Sequence, residues 1–207
     1  MKKLVLATNN SHKTTEIKEL LADTGLEILT LADFPKMPPL IEDGQTFRDN
    51  ALKKARTVHL HSHLPALADD SGLEVFYLAM RPGVRSARYA GENATDEQNN
   101  KKLLDELRGV APRRRGAQFR SVLALVGPDF AEISEGLCRG TIAESPRGTN
   151  GFGYDPIFVP DGYTETFAEL PSEEKNRISH RAKSVKGMKA SIRTRIDADE
   201  GLSRITR

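Results

Sequence analysis

The chain is predicted to fold as an α/β domain, and three observations carry that prediction. Apolar runs of strand length alternate along it with segments of helical periodicity. Capping residues mark where the helical segments begin and end. Neither an internal repeat nor a long linker splits its 207 residues into separate folding units. Interleaved strands and helices favour α/β over all-α or all-β architecture. A composition 38% hydrophobic and 29% charged supports a packed core and argues against global disorder.

The elements read in order as follows. Residues 3–8 form a buried strand; the apolar run is too short for a signal peptide and has no cleavage site. The polar stretch Asn9-Asn10-Ser11-His12-Lys13 offers N-caps in Asn10 and Ser11. A helix follows with Ile17, Leu20 and Leu21 on one face and Gly25 as its C-cap. Residues 26–31 form a second strand, and the prolines of Phe34-Pro35-Lys36-Met37-Pro38-Pro39 make the next segment a loop. Thr46-Phe47-Arg48-Asp49 is a capping start, after which Phe47, Ala51, Ala55 and Val58 mark the core face of a helix. Asn50 and Lys54 share a neighbouring face. The apolar residues 64–68 lead into Asp69-Asp70-Ser71-Gly72, which reads as a strand that ends in two acids and turns tightly. Thr95-Asp96-Glu97-Gln98 matches a capping box and opens a helix through Leu103, Leu104 and Leu107, closed by Gly109. Residues 118–126 and 131–143 are strands joined through Gly127-Pro128-Asp129, and residues 148–155 form a glycine-rich loop. Ser172 starts a short helix. A basic helix begins near Ser179, with Ile178, Ala182, Val185 and Ile192 near one stripe, and the tail after Ile196 carries no readable motif.

Several function classes fall away. No apolar run approaches the roughly 20 residues that span a bilayer. A single cysteine, Cys138, rules out an intrachain disulfide, disfavours a cysteine-based zinc site, and suits a reducing cytoplasm. A net charge of +2 is too small to call for a nucleic-acid partner. His59, His61 and His63 lack an HExxH companion, Arg113-Arg114-Arg115 reads as a solvated turn, and Ser71 lacks a GxSxG elbow.

Four segments could carry chemistry. Paired carboxylates at a strand end suit a hard cation such as Mg2+, and one of them could activate water; an acidic turn would look the same. Residues Thr8 to Lys13 join a strand to a helix N-terminus, where free N–H groups and a lysine attract phosphate, although ordinary capping explains them too and no P-loop sequence is present. In Gly151-Phe152-Gly153-Tyr154-Asp155-Pro156, glycines permit close backbone approach and the aromatics offer a flat partner for a base, the alternative being a loop with Phe152 or Tyr154 in the core. Ser179-His180-Arg181 places two basic residues in a first helical turn, against the helix dipole, with Lys175 one turn earlier.

The order of these motifs is more specific than any one of them. TNNxxK at residues 8–13, Glu42-Asp43-Gly44-Gln45-Thr46-Phe47, Ala68-Asp69-Asp70-Ser71-Gly72-Leu73, Ser86-Ala87-Arg88-Tyr89, GFGYDP at 151–156 and EEKxxISHR at 173–181 together resemble the inosine/xanthosine triphosphate pyrophosphatases. The resemblance covers nearly the whole chain. It implies a single α/β domain, an elongated mixed sheet with flanking helices, in two lobes around a central active-site cleft, and a homodimer without a membrane or stable nucleic-acid partner. It implies Mg2+-dependent hydrolysis of ITP, dITP and XTP to the monophosphate and pyrophosphate. By position, Thr8, Asn9, Asn10, Ser11, His12 and Lys13 would cradle the triphosphate, and Lys54 would face the phosphates. Asp70 would be general base and metal ligand, with Asp69 beside it as a further ligand and Ser71 touching substrate. Phe152, Gly153, Tyr154 and Asp155 would hold the base, and Lys175, His180 and Arg181 would read its 6-oxo edge. One departure stands out: where several relatives carry a metal-binding Glu this chain has Ile41, so the role passes to Glu42. Two rivals are a Maf-type nucleotide pyrophosphatase of other base specificity and a basic nucleic-acid-binding module.

Overall fold

The computed structural model describes residues 2–202, with side-chain surroundings through Ile196; beyond Leu202 the tail lies outside the described residues. Among those residues, strands and helices alternate as expected. They are β1 (Lys3–Leu6), α1 (Ser11–Leu20), β2 (Glu27–Leu29), α2 (Phe47–Ser62), β3 (Ala66–Val75), β4 (Arg81–Pro82), α3 (Asp96–Glu106), β5 (Gly116–Val126), β6 (Ala131–Ile142), β7 (Phe158–Pro160), α4 (Ser172–Ile178) and α5 (His180–Leu202). The sheet is mixed, with strand order β2-β1-β3-β5-β6-β7 and β4 pairing β3. Strand β1 runs parallel to both β2 and β3, whereas β4 is antiparallel to β3 and β7 to β6.

The chain divides into two compact units. Among the described residues the first takes 2–70, 122–136 and 181–202. Its core is aliphatic: Leu4 and Leu6 of β1, Leu67 of β3, Leu123 and Leu125 of β5, Ile17 of α1, and Val185, Met188, Ile192 and Ile196 of α5. Here β1 and the start of β3 are covered on both faces, so their side chains form continuous apolar runs, not alternating ones. Helix α1 starts where its caps predict, with the Asn10 side chain accepting from the Lys13 amide at 3.0 Å. Gly25, read from sequence as the cap of that helix, instead closes a short 3-10 turn, Ala22–Thr24, that follows it. Thr46 caps α2, and Phe47, Ala51, Ala55 and Val58 are buried as their spacing requires.

The second unit comprises Ser71–Ser121 and Leu137–His180. Its core is built on aromatic rings, with Phe119 edge-on to Phe158 at 4.7 Å and stacked on Phe167 at 5.9 Å, and with Leu103 and Leu107 of α3 packed in the same cluster. The Thr95 and Gln98 capping box forms in full. Arg115 corrects the reading of a solvated Arg113–Arg115 turn. It is buried, and its guanidinium donates to the carbonyls of Ile142, Leu107 and Ala143. Ile178 ends α4, and Ser179 breaks the chain before α5, so the stripe read across Ile178 and Ala182 belongs to two helices.

The largest correction concerns Asp69-Asp70-Ser71-Gly72. No turn forms there; β3 runs through all four residues to Val75. Asp and Gly favour turns when water is their alternative partner, but here both acids are buried and satisfied by side chains from other elements. Gly72 serves close approach, not chain reversal. A methyl there would stand 2.5 Å from the Gly83 carbonyl oxygen and clash with Ser86 Oγ. That same hydroxyl accepts from the Leu73 amide at 2.9 Å and donates to the Gly83 carbonyl at 2.6 Å, pinning the crossing. Gly72→Ala should therefore destabilise the protein by about 1–3 kcal/mol through overpacking against backbone. A shift of the urea unfolding midpoint to lower concentration checks this, and an unshifted midpoint would contradict it.

Candidate active site

Strand β3 delivers Asp69 and Asp70 side by side, and strand geometry turns their side chains to opposite faces of the sheet. Each acid meets its own set of partners within the first unit.

Asp69 is fully buried. Its Oδ2 takes Lys13 Nζ at 2.9 Å and Arg181 Nη2 at 3.1 Å. Arg181, 1% exposed at the start of α5, also pairs with Glu16 of α1. Burial works against the charge on Arg181, but Asp69 and Glu16 outweigh it and raise its pKa further. Lys13, expected to face phosphate, is thus engaged with Asp69. Around it Thr8 Oγ1 accepts from the Asn10 amide at 3.1 Å, Ser11 and His12 open α1, and Asn9, Ser11 and His12 are exposed.

Asp70 looks toward α2. Asn50 Nδ2 donates to its Oδ2 at 3.0 Å, and Lys54 Nζ lies 3.5 Å from its Oδ1. Lys54 also donates to the Asp69 carbonyl at 2.8 Å and pairs with Glu42. Both α2 residues are buried one turn apart, the neighbouring face their spacing defines. Burial raises the Asp70 carboxyl above its ordinary 3.8, against the pull of Lys54 and then Lys13, with Glu42 adding to the rise. Burial also opposes the Lys54 ammonium, but Asp70 and then Glu42 prevail and its pKa rises.

Glu42, Asp70 and the Asp69 carbonyl therefore present three oxygens to one positive charge, that of Lys54. An all-oxygen set with two carboxylates is the donor chemistry of Mg2+, which completes its shell with water and substrate phosphates. The arrangement fits that ion, and Asp70 and Glu42 are the residues that would hold it. Among the described residues, no cluster of three His, Cys, Asp or Glu side chains forms a separate protein-only cage. His59, from the histidine run, instead hydrogen-bonds through Nδ1 to the Leu64 carbonyl.

The second unit holds the aromatic loop. Asp155 Oδ2 accepts from the Phe152 amide at 2.9 Å and from Lys175 Nζ at 2.6 Å. A side chain at Gly151 would collide with that carboxylate, which explains the first glycine. Tyr154 does not serve as a stacking surface: it is 4% exposed, packs in the core and donates its hydroxyl to the Ser86 carbonyl. Phe152 stays half-buried, with Lys175 Nζ 5.0 Å from its ring centre. His180 stacks on Phe119 at 4.7 Å with the rings 10° from parallel. Ser71, also in this unit, is half-buried on β3.

Sequence reasoning missed Glu16, Asn50, Asp96 and Asn100 as site residues. Asn50 was marked by its spacing from Lys54, and Glu16 by lying one turn after Lys13. Asp96 and Asn100 carried only capping and helix-face signals; they bind the backbone of Gly153, more than fifty residues along the chain.

A buried acid held by two basic side chains, next to a second acid set against lysine, asparagine and glutamate, is a concentration of buried charge of the kind found at enzyme sites. Residues 4–191 match the Ham1 family, and the chain belongs to it. It is 50% identical over 186 residues to the dITP/XTP pyrophosphatase of Geobacter sulfurreducens, covering 89% of this chain and 94% of that one. Identity to the dITP/XTP pyrophosphatase of Bacillus licheniformis is 48% over 193 residues, covering 93% and 98%. A solved HAM1 protein from Coxiella burnetii superposes with a TM-score of 0.85 at 42% identity, over 93% of this chain and 98% of the other.

Two expectations follow from the two acids. Arg181→Ala strips the buried Asp69 carboxylate of its guanidinium partner, so stability should fall by about 3–5 kcal/mol in urea denaturation. A loss below about 1 kcal/mol would show that the pair does not hold the fold. Asp70 behaves in the opposite sense. A carboxyl harder to ionise when folded than unfolded costs stability as pH rises from 3.8 to its raised value, and the cost is complete above that window. Asp70→Asn removes that titration, so its melting temperature should gain on that of wild type as pH rises through the window. A melting-temperature difference that stays constant or moves the other way across the window would overturn that sign.

Proposed function

We propose that this protein hydrolyses deaminated purine nucleoside triphosphates, ITP, dITP and XTP, to the nucleoside monophosphate and pyrophosphate. It does so with Mg2+, as a cytoplasmic homodimer. The carrying observation is the Glu42–Lys54–Asp70–Asn50 group in a chain about half identical to proteins named dITP/XTP pyrophosphatase.

In this reading Asp70 takes the proton of a water as its oxygen bonds to the α-phosphorus. The α–β bridging P–O bond breaks, and pyrophosphate leaves with the electron pair. A carboxyl whose pKa is raised by burial is a better base near neutral pH than an ordinary aspartate. Asn50 fixes its orientation through the 3.0 Å bond to Oδ2. Bound Mg2+ would offset phosphate charge as a Lewis acid, held by Asp70 and Glu42. Lys54 adds a charge that stabilises the anionic transition state, and the Thr8 to Lys13 segment offers helix N-terminal donors to phosphate. Phe152 supplies the flat surface for the base, and Lys175 and His180 supply donors toward a 6-oxo group. Adenine, with an amino group there, leaves such donors facing another donor, a costly mismatch. Arg181, which the resemblance assigns to the base, is read here as the counter-ion of Asp69.

The test is pyrophosphate release from ITP, XTP, GTP, ATP and dTTP, with Mg2+ and with EDTA. Expected are turnover of ITP and XTP well above ATP and dTTP, and no turnover in EDTA. Asp70→Asn should abolish ITP turnover while keeping the wild-type circular dichroism spectrum. Preferred turnover of dTTP would move the protein to a Maf-type specificity, and near-normal turnover by Asp70→Asn would remove Asp70 as the base.

A further inference from the structure

The loop that carries Phe152 is tied down by backbone hydrogen bonds that reach outside it. Within the loop, Asp155 accepts from the Phe152 amide. At its start the Thr149 and Asn150 amides donate to the Ala168 carbonyl, and at Gly153 two further ties come from the first turns of α3. Asp96 Oδ2 accepts from the Gly153 amide at 2.6 Å, and Asn100 Nδ2 donates to the Gly153 carbonyl at 2.9 Å. Residues 96 and 100 lie one helical turn apart, so a single helix face grips both polar groups of one peptide residue. That residue sits next to Phe152 and holds a left-handed φ of +62°, a conformation glycine adopts freely.

Asn100 is a poor choice for stability alone. It is 6% exposed, and its Oδ1 is buried with no hydrogen-bond partner among the described residues. A buried orphan acceptor has lost its water without gaining a partner, a net cost to the fold. Among the described residues, the bond its side chain makes is the one to Gly153. Asp96 is exposed and stands at the first position of α3, beside the Thr95 cap, so its bond to Gly153 is not needed to start the helix.

We propose that Asp96 and Asn100 are positioning residues for Phe152: α3 sets the orientation of the aromatic surface through Gly153, and with it the affinity for the purine base. The inference rests on the reading of Phe152 as the base platform. Three single variants, Phe152→Ala, Asn100→Ala and Asp96→Ala, and the double variant Phe152→Ala/Asn100→Ala, test it by steady-state kinetics with ITP. Stacking of a base on an aromatic ring is worth about 1–3 kcal/mol, so Phe152→Ala should raise KM by roughly 5- to 150-fold. Asn100→Ala and Asp96→Ala should each raise KM by several-fold while kcat changes by less than about twofold. Asp96→Asn, which keeps a carbonyl acceptor, should restore KM. In the Phe152→Ala background, removing the Asn100 amide should add nothing further, because the ring it positions is gone.

An unchanged KM in both Asn100→Ala and Asp96→Ala, with a raised KM in Phe152→Ala, overturns the positioning role and leaves the platform reading standing. Additive KM effects in the double variant also overturn it. An unchanged KM in Phe152→Ala removes the platform reading and this inference together. Should Asn100→Ala fail to fold, the exposed Asp96 pair of variants decides the matter alone.

Discussion

A carboxylate that water cannot reach must find its counter-charge in the chain itself, and Asp69 organises the first unit by that requirement. Taking the ion out of water costs several kcal/mol, which only close basic partners offset. Lys13 comes from α1 and Arg181 from α5, so one acid on β3 fixes the register of two helices against that strand. Glu16 then neutralises what remains of the Arg181 charge. The aliphatic core beneath holds the same helices by area, but area does not specify angle or register. The ion pairs do.

Asp70, one residue on, meets the opposite problem. Its surroundings fall short of full compensation, and its carboxyl is harder to ionise than an ordinary one. In the proposed reaction the adjacent positions divide two tasks that one acid could not perform at once. A base must keep affinity for a proton, whereas an anchor must stay ionised. Alternation along a strand separates the two by placing them on opposite faces. Lys54 supplies the balance on the Asp70 side, as an internal cation between two carboxylates.

Most of the fold was legible because helix signals are local. Asn10, Thr46 and the Thr95–Gln98 box cap where the sequence says they should, and the Phe47–Val58 stripe is buried. Asp69-Asp70-Ser71-Gly72 was misread because its conformation is decided by distant partners: Lys13, Arg181, Lys54, Asn50 and the Gly83–Ser86 segment beside Gly72. Arg115 was misread for the same reason, since three backbone carbonyls from separate segments consume its donors. Of the candidate site, residue types and motif order were readable; pairing was not. Nothing in the sequence joins Arg181 to Asp69, or tells Tyr154 in the core from Phe152 beside it.

The Asp69–Arg181 pair also imposes an order in time. The two residues are 112 positions apart, and α5 follows all the other described strands and helices. At about 5–20 residues per second, ribosomal synthesis separates them by roughly 6–20 s. During that interval β3 exists with its acid only partly compensated, and the aliphatic face that α5 will cover is open. The nascent first unit cannot reach its final packing until α5 emerges. A message that ends before codon 181 therefore yields a chain with an exposed apolar face and an unbalanced carboxylate, the kind of product that chaperones and proteases recognise.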